Sequence, residues 1–171
     1  LINVAKQNTH GGSMRYFISH KGSYEPKKKV STYLNIEKKL GINNLKKLKQ
    51  FKKNIDQNKQ KFNSLLMSLK NKGKNVVGYA ATSKSTTVLN YFNTDPNLIK
   101  YISDTTPIKI NKFSPGKHIK IKDYSFFKKN YPDYAILFAW NHQNEIIIKE
   151  KKFKENGGRW ILFIPKVKIL K

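Results

Sequence analysis

The chain has 171 residues, enough for one domain with a real core, and 38% hydrophobic with 12% aromatic residues exclude a disordered tail. With no cysteine it can form no disulfide, cysteine-ligated zinc site or thiol nucleophile, and no apolar run reaches the roughly 18 residues of a membrane span. The net charge of +25 raises nucleic acid as a partner, but all 35 basic residues except Arg15 and Arg159 are lysine, whereas base readers favour arginine's bidentate fork.

The chain opens on Leu1 inside a strand-like pattern, which reads as a piece of a longer protein. Residues 1–19 hold two strand-like pieces around the turn Thr9-His10-Gly11-Gly12-Ser13. Residues 20–33 are polar, contain Pro26, and read as loop. Helical periodicity covers 34–72, with Leu45, Leu48, Phe51, Ile55, Phe62, Leu65, Leu66 and Leu69 on one broad stripe. The Gly41-Ile42-Asn43-Asn44 stretch breaks it and leaves a long helix near 45–71, which Gly73 stops.

From residue 74 strands and helices alternate. Strands are expected at 75–79, 99–103, 118–121, 134–139 and 160–164, with an edge at 167–170. Helices are expected at 85–92, at 123–129 with Asp123 as cap, and at 143–154, stopped by Gly157-Gly158. The near-continuous apolar run at 135–139 fits a strand buried on both faces. This alternation predicts an α/β fold, a Rossmann-like doubly wound and mainly parallel sheet with flanking helices. It is preceded by a strand-turn-strand arm and the long helix; residues 1–33 form the arm and 34–171 the domain.

In such a sheet ligands sit at the carboxyl ends of the strands. That selects the loops at 80–86, 104–118, 140–143 and 165–166. The first, within GYAATSKSTTVLNYF, offers hydroxyls on Ser83, Ser85, Thr86 and Thr87, the cation Lys84, and a helix N-terminus. Free backbone N–H groups and the positive helix end suit a diphosphate, or the loop is simply a capped helix start. One glycine argues against a dinucleotide-binding loop. In the second loop Asp104 could take a ribose hydroxyl or serve as a turn residue, and Phe113 could stack on a base or fill a gap. In the third, Asn141 could face a ligand or cap the next helix. His10, His20, His118 and His142 have no metal-ligand spacing; His10, beside two glycines, is a turn residue or a site residue.

Five stretches occur here in one order: NTHGGSMRYF, GYAATSKSTTVLNYF, DTTPIKINKFSPGKHI, PDYAILFAWN and GGRWILFIP. Together they resemble the C-terminal, nucleotide-sugar-binding region of S-adenosylmethionine-dependent sugar C-methyltransferases, which add a methyl group to a carbon of a nucleotide-linked keto-sugar. The resemblance implies that Ser83, Lys84, Ser85 and Thr86 face the diphosphate, with Asn90 on the same helix. It implies that the 104–118 loop, with Asp104, Lys109, Lys112, Phe113 and His118, lies over the nucleotide or sugar, and that Trp140 and Asn141 close the pocket. His10 would approach the junction of methyl donor and sugar. Many members of the resembled family carry glycine where this chain has Ala80 and Ser85.

The resemblance further places the methyl donor, the Glu-His pair proposed as base, and a cysteine-ligated zinc module upstream of the THGGS turn. The expected partner of these residues is therefore a nucleoside-diphosphate sugar in the cytoplasm, with S-adenosylmethionine held mainly elsewhere, no metal in this chain, and no methyl transfer by this chain alone. A lysine-driven nucleic-acid module is the alternative; it predicts sequence-independent binding with a steep salt slope.

Overall fold

The structure is a computed structural model and describes residues 1–170. Backbone contacts divide the chain into one compact unit, Leu1–Asn54, and a second from Ile55 onward.

In the first unit β1 (Asn3–Gln7) pairs antiparallel with β2 (Ser13–Phe17), with Ala5 opposite Arg15. The connecting turn places His10, Gly11 and Gly12 at φ of 54°, 87° and 122°. Here the paired glycines supply the backbone freedom that the turn demands. Helix α1 (Lys28–Leu40) begins inside the segment expected to be loop. Its first turn is lysine-rich and shows no apolar stripe, so periodicity could not reveal it; Ser31 and Thr32 hydroxyls donate to the Lys28 carbonyl there. Gly41, at φ 68°, ends α1, and its N–H donates to the Glu37 carbonyl at 3.0 Å. Asn44 then accepts from the Lys46 N–H at 2.8 Å and starts α2 (Leu45–Asn71), the long helix the stripe predicted.

The second unit continues with β3 (Val76–Tyr79), α3 (Ser83–Tyr91), β4 (Ile102–Asp104), β5 (Ile121–Asp123), α4 (Tyr124–Lys129) and β6 (Tyr134–Leu137). It ends with α5 (Gln143–Lys149), α6 (Lys151–Glu155), β7 (Arg159–Leu162) and β8 (Lys168–Ile169). The sheet order is β5-β4-β3-β6-β7-β8, all parallel except β8, which runs antiparallel to β7. Counted from β3 this is the 3-2-1-4-5-6 order of doubly wound dinucleotide folds, with the order reversing between β3 and β6.

Alternation along the strands builds two cores. On one face Val76, Ile102, Ile136 and Ile161 meet Phe62, Leu66 and Leu69 of α2 and Leu89 of α3. On the other, Val77, Tyr79, Ala135, Leu137 and Trp160 meet Phe127 of α4 and Phe153 of α6. Gly78 sits where the first face is closely packed: a Cβ there would come within 2.6 Å of Phe138 and 2.9 Å of Ile102. Asn58 of α2 fastens that helix to the far end of the chain. It donates to the carbonyls of Phe163 and Pro165 and accepts from the Val167 N–H.

Further expected elements differ: the strand expected at 99–103 begins only at Ile102, and two others change more. The strand expected at 118–121 begins only at Ile121, because Ser114 binds both backbone groups of Ile119 in a tight turn. The helix expected over 143–154 is broken at Glu150, whose side chain turns into the second core to accept from the Tyr79 hydroxyl at 2.7 Å and from that of Tyr124. Asp123 caps α4 as expected, accepting from the Ser125 N–H at 2.8 Å.

Asp133, just before β6, accepts from the Asn75 N–H at 2.7 Å and pairs with Lys74 at 3.3 Å. The Asn75 amide first, then Lys74, hold its carboxyl below the usual range. The resulting stability is fully present above the unfolded value of roughly 4 and is lost as pH falls through the folded value. Asp133→Asn should therefore flatten the acid limb, below about pH 4, of a plot of urea midpoint against pH. An acid limb identical to that of the unaltered chain would remove Asp133 from the cause.

Candidate functional site

Three loops leave the carboxyl ends of the central strands. After β3 the chain turns at Ala80, held at φ 70°, where its N–H donates to the Ser103 carbonyl at 2.8 Å. Asp104 ends β4 and is buried. One carboxylate oxygen accepts from the Ala81 N–H at 2.6 Å and the other from the Thr106 N–H at 2.7 Å. Lys109 donates to the Ala81 carbonyl at 2.9 Å and lies 3.7 Å from Asp104. These bonds fix the loop after β3 against the loop after β4.

Thr82 caps α3 by accepting from the Ser85 N–H at 3.2 Å, and the Ser85 hydroxyl donates back to the Thr82 carbonyl at 2.6 Å. Further along α3, Asn90 donates to the carbonyls of Thr86 at 2.8 Å and Pro115 at 3.0 Å. The second bond latches the 105–118 loop to the helix. Gly116, at φ 78°, lies directly against the Asn90 side chain, and a Cβ there would overlap it.

The helix start and the latched loop enclose a cleft of about 540 Å³. Ser83, Ser85, Thr86 and Thr87 line one wall, and Lys109, Lys112, Phe113 and Pro115 the other. Ile108 and Ile121 add apolar surface. Ile108 and Phe113 are 80% and 58% exposed at this site, which is unusual for large apolar side chains beside so polar a wall.

Behind the Ala80 turn, on the second face, Tyr79, Tyr124 and the buried Glu150 form a closed network. Burial first, and the Glu150 carboxylate second, push both phenols well above their ordinary range. Burial alone pushes Tyr101 up to about 12.

The cleft thus brings together Ser83, Ser85, Thr86, Lys109, Lys112 and Phe113 of the residues singled out in the sequence. Lys84 is on the same helical turn but does not line the cleft, and Asp104 and Asn90 shape it through the bonds just described. His118 is exposed at φ 51°, in the turn that ends the latched loop. Trp140 and Asn141 lie in a short 3-10 turn after β6, outside the cleft lining, and the Asn141 side-chain oxygen is buried without a partner among the described residues. His10 belongs to the first unit, in the β1–β2 turn. Ile108, Ser114 and Ile121 were not foreseen; Ile108, an apolar side chain in a Pro/Lys loop, was the available signal. Among the described residues no group of three or more His, Cys, Asp or Glu is arranged to hold a metal, and no helix is long and apolar enough to cross a membrane.

Residues 8–165 match the family described as "C-methyltransferase C-terminal domain". The chain belongs to this family. It is also 32% identical over 171 residues to the C-methyltransferase NovU of Streptomyces niveus, covering 99% of this chain and 41% of that relative. The cleft of this C-methyltransferase C-terminal domain lies wholly within the matched residues, as does the Tyr79–Tyr124–Glu150 network.

Proposed function

We propose that the chain is the substrate-holding part of an enzyme that moves a methyl group from S-adenosylmethionine to a carbon of a nucleotide-activated keto-sugar, and that the cleft takes the nucleoside diphosphate. One observation carries this reading: a helix start, four hydroxyl residues and Lys112 converge at the carboxyl end of the sheet beside an exposed Phe113. Diphosphate oxygens would accept from the α3 N-terminal amides, from the Ser83 and Thr86 hydroxyls and from Lys112, while Phe113 offers a face for the base. Lys109, already bound to Ala81 and near Asp104, shapes the loop.

The cleft does not fit the methyl donor. S-adenosylmethionine carries cationic sulfonium and ammonium groups. No carboxylate is among the cleft's described lining residues, Asp104 beside it is committed to two backbone amides, and the walls bring lysines. The donor and the base that removes the carbon-bound proton would then lie in another part of a longer polypeptide, which residues 1–33 would join to the substrate domain of residues 34–171. Rigid holding of the remote diphosphate would set the distance between the reacting carbon and the methyl group. His10 is the one side chain of this chain assigned to that junction, and Trp140 and Asn141 would border the sugar. The reaction is placed in the cytoplasm, and this chain alone would bind without methylating.

Calorimetric titration with a panel of nucleoside diphosphates and their sugars, at two salt concentrations, tests the reading. Selective binding is expected, weakened about tenfold by Lys112→Ala, the loss of one charge-assisted hydrogen bond. Lys84→Ala should cost less than about threefold, the effect of a nearby charge without contact. The net charge of +25 favours the nucleic-acid alternative. Weak binding that is uniform across the panel and falls steeply with salt would select that alternative.

A further inference from the structure

The apolar stripe of α2 does not end where the sheet stops covering it. Phe62, Leu66 and Leu69 are buried, and Ile55 is partly buried against the same core. Towards the amino end of the helix the same spacing continues through Leu48 and Leu45, with Phe51 beside them. These three are 51%, 65% and 64% exposed. An amphipathic helix half covered and half bare along one face marks an interaction surface.

Charge narrows the occupant. Lys46, Lys47, Lys49 and Lys53 accompany the ridge, and no Asp or Glu lies between Glu37 and Asp56. A second copy meeting the ridge would bring like charges together. Length narrows it further: the chain spans 41% of NovU, and the matched region is described as a C-terminal domain, so in that relative most of the polypeptide lies outside the match. We propose that the preceding part of a longer polypeptide docks on Leu45, Leu48 and Phe51 through an apolar face rimmed by Asp and Glu. This rests on reading the chain as the C-terminal domain of a larger enzyme.

Hydrogen exchange of the full-length polypeptide and of the 171-residue chain tests it. Amides 45–54 should exchange at least about tenfold more slowly in the longer polypeptide, and those of β3 and β6 equally in both. The double variant Leu48→Asp, Phe51→Asp should abolish that slowing and leave the thermal midpoint of the 171-residue chain unchanged, since both side chains are exposed there. Equal exchange in the two polypeptides overturns the proposal. So does sedimentation of the 171-residue chain as a dimer with the same amides protected. Nucleotide titration of the same samples separates the two readings: binding retained with equal exchange removes the docking alone, and slowed exchange without nucleotide binding removes only the assignment of the cleft.

Discussion

Asp104→Ala is expected to lower stability by about 3 kcal/mol and nucleotide affinity by more than about tenfold, because two charge-assisted hydrogen bonds are lost and two loop amides are left unpaired. The carboxylate is buried and holds the Ala81 and Thr106 N–H groups at 2.6 and 2.7 Å, one in the loop after β3 and one in the loop after β4. Asp104→Asn should recover part of the stability. Its side chain has one oxygen, so one of the two amides would face an NH₂ group and the loops would part. Urea unfolding combined with calorimetry checks both halves. A variant that loses stability but binds nucleotide unchanged would show that the cleft is not the binding site.

The second large effect lies on the opposite face. Glu150→Ala should cost about 3 kcal/mol, because the buried Tyr79 hydroxyl and the half-buried Tyr124 hydroxyl lose their shared acceptor. Glu150→Gln keeps an oxygen in place and should cost about half as much. Glu155→Ala, on the exposed side of α6, is the control and should change stability by less than about 0.5 kcal/mol. Equal losses from Glu150→Ala and the control would mean that water replaces the carboxylate. Because Tyr79 is the last residue of β3, the residue before the Ala80 turn, the Glu150 variants should also loosen nucleotide binding, by a smaller factor than Asp104→Ala.

Elements whose cause is local were legible in the sequence. The α2 stripe, the Gly41 and Gly73 stops, the Asp123 cap and the apolar β6 run each follow from residues within a turn or two of one another. The doubly wound sheet followed from their alternation. The break at Glu150 did not, because its cause is a hydroxyl 71 residues away in sequence. At the site, hydroxyls after a strand and lysines in a Pro/Gly loop announced the two walls of the cleft. The latch between Asn90 and Pro115, and the engagement of both Asp104 oxygens by backbone, depend on loop shape and had no local signal. Ile121 was missed as a lining residue for the same reason, whereas Ile108, an apolar side chain in a Pro/Lys loop, did carry a local signal.

The bonds from Asn58 to the end of the chain bear on synthesis as well as stability. Asn58 and the Phe163 carbonyl are 105 residues apart. At the roughly 5–20 residues per second of translation, α2 leaves the ribosome about 5–20 s before β7 exists to help cover it. During that interval Phe62 has Phe92 within reach but not Phe163, although the finished core sets all three rings together. The nascent helix therefore carries an apolar face along its whole length, and β3, which supplies Val76, is its first partner to emerge, followed by Leu89 of α3 and by Phe92 just after that helix. Stalling between α3 and β7 would leave a half-covered helix and a sheet lacking β7 and β8, the state in which a chaperone has most to bind.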